Sequence, residues 1–281
     1  MQHLNWKHID KILKQALAED IGRGDVTSLA MQVDFSAEAK IVSKQNGILA
    51  GIEVAKHVFE LDDPSLKVQC KKQDGDELHK GDIVLSISGK GQSILSAERT
   101  ALNILGRMSG IATLAYRYVE QIKGSGCAIL DTRKTMPNLR ILDKYAVTCG
   151  GAENHRYGLY DMILIKENHI RWAGGIQKAL KAAIDYAGSR NLKIEVEVTD
   201  LKEYQIVLTY PINMIMLDHF SLGDLRKAVA LNNSDIILEA SGNVSLKTVR
   251  DIALTGINVI SVGALTHSVS CFDFSLLFNE F

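Results

Sequence analysis

Between Asp131 and His169 the chain places five basic residues, Arg133, Lys134, His155, Arg156 and Lys166, at the ends of apolar runs or in the polar loops between them. In α/β domains ligands bind at the carboxyl ends of strands, so cations gathered there suit a highly anionic small molecule. Lys and Arg that merely solvate a surface lie instead on helix faces among Glu and Asp. Read in order, the strand ends carry Arg133 and Lys134, then Lys166, Glu197, Asp218, Ser241-Gly242-Asn243 and Val262-Gly263-Ala264. The first supply positive charge for carboxylates or phosphates. The middle two supply carboxylates suited to ribose hydroxyls or Mg²⁺. The last two supply small residues whose backbone N–H groups can cradle a phosphate.

Each residue also has a plainer reading. A single Arg after a strand is commonly a loop cation. Glu195 and Glu197 alternate with Val196 and Val198, so one of the pair can point between helices. Asp218 can cap the next helix, a role that Ser221 fits as well, and Ser-Gly-Asn is often only a turn. Six adjacent strand ends would each need a separate explanation, and one joint site is the simpler account. Other motifs carry less. GKGQS at 89–93 lacks the spacing of a P-loop. No GxGxxG follows the first strand of this region, which argues against dinucleotide binding. The RGD within GRGDVTS reads as a turn, and His169 and His219 read as structural. No nucleophilic Ser or Cys stands beside a base.

The elements that must position these residues follow from periodicity. Apolar residues at helical spacing predict an amphipathic helix over about 5–20, broken by Gly22 and Gly24. From 36 to 95 short strands and tight turns predict a small α+β domain, and DGDELHKGDIVLSI resembles the paired strands of a lipoyl-like sandwich. Ser96 to about Lys123 reads as one long helix, with Ser96 as N-cap and Glu98 in the first turn. It is apolar beyond one stripe, so it is buried or packed on another subunit, and Arg99, Asn103 and Arg107 form a polar line along it. After Gly126, Val/Ile/Leu strands at 128–133, 162–166, 193–198, 214–218, 236–241 and 259–264 alternate with amphipathic helices. That pattern predicts parallel strands buried on both faces. A closed barrel or an open doubly wound sheet can be built from it. Polar residues at nearly every strand end favour the barrel.

Composition sets the bounds. A chain of 281 residues, 46% hydrophobic and 23% charged, is ordinary globular protein with a large core. A formal charge of −1 makes any anion site local and gives no reason to expect nucleic acid. Cys70, Cys127, Cys149 and Cys271 stand far apart without CxxC spacing, which favours a reducing cytoplasm. No apolar run suits a bilayer span, and the mixed-charge N-terminus is unlike a signal peptide.

The blocks ERTALNILGRMSGIAT (98–113), DTRKTMPNLR (131–140), GGAENHRYGLYDMILIKENH (150–169), IEVEV (194–198), MLDHF (216–220), LEASGN (238–243) and VGALTHS (262–268) resemble the quinolinate phosphoribosyltransferases. So does EDIGRGDVTS (19–28). The resemblance implies an N-terminal α+β sandwich, 1–110, followed by an incomplete TIM-like α/β barrel, 111–265, with the tail 266–281 free to pack on the first. It implies transfer of phosphoribose from phosphoribosyl pyrophosphate to quinolinate, with decarboxylation and Mg²⁺ as cofactor. By carry-over Arg133, His155, Arg156 and Lys166 hold the two carboxylates of quinolinate, beside Thr132. Lys134 and Lys166 meet phosphoribosyl pyrophosphate, and Glu197 and Asp218 face its ribose and Mg²⁺, directly or through the pyrophosphate. Catalysis is assigned to Lys134, Lys166, Glu197 and Asp218, and the 5-phosphate to Ser241–Asn243 and Val262–Ala264. Arg99 enters the site of a partner subunit in a homodimer, which can assemble further into a hexamer. Asn243 departs from a second glycine frequent among relatives. A related phosphoribosyltransferase for another base, an aldolase using Lys166 as a Schiff base, and a catalytically silent barrel are the alternatives.

Overall fold

The computed structural model describes residues 4–31, 35–188 and 190–279. In chain order its elements are α1 (Trp6–Ile21), α2 (Val26–Met31), β1 (Ser36–Ser43), β2 (Gly47–Ile48), α3 (Ile52–Asp62), β3 (Lys67–Cys70), β4 (Glu77–Leu78), β5 (Ile83–Lys90) and α4 (Gly91–Gln121). Next come β6 (Ala128–Leu130), α5 (Arg140–Cys149), β7 (Met162–Ile165), α6 (Glu167–Ala173), α7 (Ile176–Ala187), β8 (Lys193–Val198) and α8 (Leu201–Val207). The chain ends with β9 (Met214–Asp218), α9 (Leu222–Leu231), β10 (Ile237–Ser241), α10 (Val249–Ala253), β11 (Val259–Ser261), α11 (Ala264–His267) and β12 (Phe274–Phe278). Two compact units result. One holds the described residues of Met1–Tyr116, Thr135–Gly151 and Leu265–Phe281, the other Arg117–Lys134 and Ala152–Ala264.

The first unit is an antiparallel sheet in the order β12-β1-β5-β3, a two-stranded pair β2–β4, and helices. In α1 the buried residues Ile9, Leu13 and Leu17 recur every four positions, the stripe expected of an amphipathic helix. The strands of DGDELHKGDIVLSI do not pair with each other: β4 goes to β2, while β5 lies between β1 and β3. The long helix α4 starts at Gly91, five residues before the expected cap, so Ser96 is inside the helix and Glu98 is not in its first turn. Gly89, at φ 143°, is the last residue but one of β5 and pairs with Ala37, so the strand runs directly into the helix. The apolar excess of α4 is used within this chain, since Leu102, Leu105, Met108, Ile111, Ala112 and Ala115 are all buried. At Gly110 an added Cβ would lie 2.3 Å from the Ser270 carbonyl oxygen, so only glycine lets the C-terminal segment rest on the helix.

Arg107, drawn from the polar line on α4, proves structural. Its Nε and Nη2 donate to the two carboxylate oxygens of Asp143 at 2.8 and 2.7 Å, and Nη2 also donates to the Thr266 carbonyl at 3.2 Å. Asp143 is fully buried. A buried carboxylate stripped of its guanidinium keeps its desolvation penalty, with the Met136 N–H at 3.0 Å offsetting only part of it. Arg107→Ala is therefore expected to cost about 3–5 kcal/mol of folding stability, measured by urea denaturation. A loss near the small values typical of exposed pairs would show that the pair is not what holds α5 to α4.

The second unit is a six-stranded parallel sheet in the order β6-β11-β10-β9-β8-β7. The first strand lies beside the last, the order of a barrel and not of a doubly wound sheet, whose first strand is central. Where β6 and β7 would close the ring there is instead a bridge from Leu130 to Glu153, made by Asp131 N–H to Glu153 O (3.1 Å) and Glu153 N–H to Ile129 O (2.8 Å). The barrel is thus incomplete, as the resemblance implied. Ile215, Leu217, Val196 and Leu238 are buried, as continuous apolar strands covered on both faces require. Two asparagines repeat one device at the strand starts: Asn213 Oδ1 accepts from Ile194 N–H and Asn258 Oδ1 from Leu238 N–H, both at 2.8 Å.

Candidate active site

Parallel register brings the strand ends together. Ile165 pairs with Val196, so the next residues, Lys166 and Glu197, are neighbours, and Lys166 Nζ donates to Glu197 Oε2. Lys166 N–H donates to His169 Nδ1 at 3.0 Å, which fixes the start of α6 and gives that histidine its structural role. Asp218 pairs with Ser241 across β9 and β10, and its Oδ2 lies 2.9 Å from His219 Nδ1. Ser221, not Asp218, caps α9, accepting from Asp224 N–H at 3.1 Å. Asp218 therefore stays at the strand end.

The residues after β10 need unusual backbone. Gly242 has φ 98°, and a Cβ there would fall 2.6–2.8 Å from the His219 ring. No other residue fits. Asn243 is also left-handed, at φ 50°, a conformation that asparagine tolerates and glycine adopts freely. On the neighbouring strand, after β11, Val262 N–H donates to Leu130 O at 2.9 Å and Val262 is buried, with Gly263 and Ala264 half-buried beyond it.

The cations at the first strand end follow β6, which stops at Leu130 and leaves Asp131 to Lys134 outside the sheet. Lys134 N–H donates to Thr132 Oγ1 at 3.0 Å. Arg133 is half-buried and Lys134 exposed. Arg156 is held by its Nη1 donating to Met162 O at 3.1 Å. Burial lowers the Arg156 pKa, and the charge of nearby Arg133 lowers it further, while Glu195 and Asp161 oppose both. Two guanidiniums close enough to repel are an arrangement that an anion relieves. Arg99 is exposed on α4 in the first unit.

His155 behaves differently from its neighbours. Its Nε2 lies 3.0 Å from Glu195 Oε2 and 3.1 Å from Glu239 Oε2, and both glutamates are fully buried. Its Nδ1 accepts from Arg156 N–H at 2.7 Å. Burial opposes a charged imidazole, yet the two carboxylates outweigh it and push the ring up to about 10. An acceptor Nδ1 needs its lone pair, so the Arg156 N–H contact opposes the charged form and holds the ring proton on Nε2. Glu195 is pushed up to about 7, by burial first and then by the charge of Glu239. The sequence reading left one of Glu195 and Glu197 to point between helices, but both face inward, one to His155 and the other to Lys166. Glu239 was missed altogether. Its signal was an acid inside the apolar run IILEAS, two residues before Ser241 on the same face.

The chain is 46% identical over 284 residues to "Nicotinate-nucleotide pyrophosphorylase [carboxylating], chloroplastic" of Arabidopsis thaliana, covering 94% of this chain and 81% of that one. It is 41% identical over 276 residues to the "Probable nicotinate-nucleotide pyrophosphorylase [carboxylating]" of Bacillus subtilis (strain 168), covering 98% and 94%. The crystal structure of NadC from Streptococcus pyogenes superposes with a TM-score of 0.94 at 38% identity over all of both chains. Residues 25–109 match the model for the N-terminal domain of quinolinate phosphoribosyl transferase, and residues 111–277 the model for its C-terminal domain. With both domains matched in order along one chain, this protein belongs to the quinolinate phosphoribosyl transferase family.

Proposed function

We propose that this protein transfers phosphoribose from phosphoribosyl pyrophosphate to quinolinate, giving nicotinate mononucleotide, pyrophosphate and CO₂ in NAD biosynthesis. The observation that carries the reading is the pairing of Lys166 with Glu197 at the carboxyl ends of β7 and β8, together with Arg133, after β6, and Arg156, in the loop before β7, close enough to repel. Two polyanions repel, and a cluster of fixed cations is what allows them to share a site. Arg133 and Arg156 take the two carboxylates of quinolinate. Lys134 and Lys166 meet the phosphoribosyl donor, and Ser241–Asn243 with Val262–Ala264 take its 5-phosphate.

The ring nitrogen of quinolinate forms a bond to the anomeric carbon as the bond to pyrophosphate breaks. The 2-carboxylate then leaves as CO₂, and the electron pair left on the ring carbon takes a proton. Oxocarbenium character builds during the displacement, and Glu197 and Asp218 stabilise it electrostatically. Positioning of two bound reactants is worth about 7–11 kcal/mol in favourable cases, so no covalent enzyme intermediate is needed.

Mg²⁺ favours oxygen ligands and usually binds through one or two carboxylates together with substrate phosphates. Glu197 and Asp218, on adjacent strands, are donors of that kind. Since Glu197 already binds Lys166 and Asp218 binds His219, they fit an ion carried mainly on pyrophosphate and met partly through water. Such an ion supplies positive charge to the leaving pyrophosphate. Arg99 completes the site of a second copy in a homodimer, itself able to build a hexamer. Cys70, Cys127, Cys149 and Cys271 are free, which suits a reducing cytoplasm. No helix among the described residues is long and apolar enough to cross a membrane.

The test is direct: nicotinate mononucleotide should form from quinolinate, phosphoribosyl pyrophosphate and Mg²⁺, detected by chromatography. Nicotinate, with one carboxylate, leaves part of the cation cluster unpaired at about 1–3 kcal/mol or more per buried group. It should therefore be a poor substrate, and equal turnover of the two acids would refute the assignment of Arg133 and Arg156.

A further inference from the structure

Three buried carboxylates, on none of which the proposed chemistry depends, grip one segment of the second unit. Asp131, Glu195 and Glu239 are all fully buried. They follow or belong to β6, β8 and β10, which alternate around the barrel. Side chains from alternate strands form one layer of a barrel interior, a layer that is ordinarily Val, Ile or Leu. Here it is acidic. Asp131 Oδ1 accepts from His155 N–H at 2.9 Å and its Oδ2 from Asn154 Nδ2 at 2.8 Å. Glu195 and Glu239 clasp the His155 imidazole from two strands, and the far side of that ring accepts the Arg156 N–H. Counting two positions on from each acid gives Arg133, Glu197 and Ser241, which are proposed substrate contacts. In β8 and β10 that step keeps the same face of the strand.

We propose that Glu195 and Glu239 are positioning residues which, through His155, fix the 154–156 segment and hence Arg156 for the carboxylates of the acid substrate. They lie one layer beneath the site and do not touch substrate. His155, whose two ring nitrogens are both engaged inside the protein, belongs with them as a relay of position. His155, Glu195 and Glu239 also have the count and spacing of metal ligands. A metal-bound imidazole, however, donates its other ring N–H to an acceptor, whereas Nδ1 here faces a donor. The inference rests on the reading of the site as one for a pyridine dicarboxylate.

Steady-state kinetics on Glu239→Leu and Glu239→Gln, with both substrates varied, test it. Glu239→Leu should raise KM for quinolinate roughly 10–100-fold, the range for groups that orient a ligand from behind. KM for phosphoribosyl pyrophosphate should stay within about threefold, because the 154–156 segment carries none of its proposed contacts. Glu239→Gln, which still offers an oxygen to Nε2–H, should recover most of the loss. Equal effects on both substrates, no effect, or a glutamine variant no better than leucine would overturn the proposal. If Glu239→Leu does not fold, Glu239→Asp, which withdraws the carboxylate by one methylene, should give the same selective rise, and unchanged KM values would count against it equally. A divalent ion retained by the wild type through chelator dialysis and lost from Glu239→Gln would overturn it too. Wild type inactive on quinolinate brings down the functional reading and this proposal together, while an active wild type with unselective variants brings down the proposal alone.

Discussion

Lys166→Met is expected to lower kcat by roughly 10²–10³-fold, the loss typical when one preorganised charge is taken from a transition state. Lys166 meets Glu197 at the mouth of the barrel, and each needs the other. Without the ammonium, Glu197 is left as a half-buried carboxylate beside incoming phosphates, where it repels them. Methionine keeps most of the side-chain length, and the Lys166 N–H bond to His169 belongs to the backbone, so the fold should survive. The pair is expected to act as a unit: Lys166→Met with Glu197→Gln together should fall no further than the worse single variant. Losses that multiply would show two independent roles, and a folded Lys166→Met within threefold of wild type would remove Lys166 from the mechanism.

The second large effect is expected from Arg99. Arg99→Ala and Arg133→Ala should each lose more than about 100-fold in kcat/KM, since an arginine on a carboxylate or phosphate makes charge-assisted, bidentate contacts. Mixed and allowed to exchange subunits, the two inactive proteins should regain roughly a quarter of the wild-type sites, because half the dimers are mixed and each has one intact site. Exchange verified by mass with no recovery of turnover would place Arg99 outside the partner's site. Arg107, one helical stretch along, makes the contrast useful: it is held by buried Asp143, whereas Arg99 is exposed.

The barrel strands were legible because they are apolar and regularly spaced, and all six lie within three residues of the expected limits. Cations and carboxylates at their ends were legible for the same reason, since a parallel strand tells where its carboxyl end must be. Three things were harder to read. The start of α4 was hidden by Gly91, which local propensity assigns to a turn but which tertiary packing places in a helix. The pairing of β12 with β1 joins residues more than two hundred positions apart, and no local pattern reports such a contact. The acidic layer was hidden because periodicity says that a residue faces inward, not which partner it meets there. Glu239 in an apolar strand was visible as an oddity, but His155 comes to it from a loop of no regular period.

The seam beside β6 has a consequence for how such a protein can diversify. Every other pair of neighbouring strands is locked by a ladder, so an inserted or deleted residue would turn inward-facing side chains outward. Across the seam the constraints are the two hydrogen bonds at Glu153 and the grip of Asp131 on Asn154 and His155. The stretch from Tyr157 to Asp161, beyond that grip, can therefore vary in length and composition without disturbing the register of the sheet. Since it adjoins Arg156, selectivity toward the acid can be retuned by evolution or by an engineer while the scaffold stays unchanged.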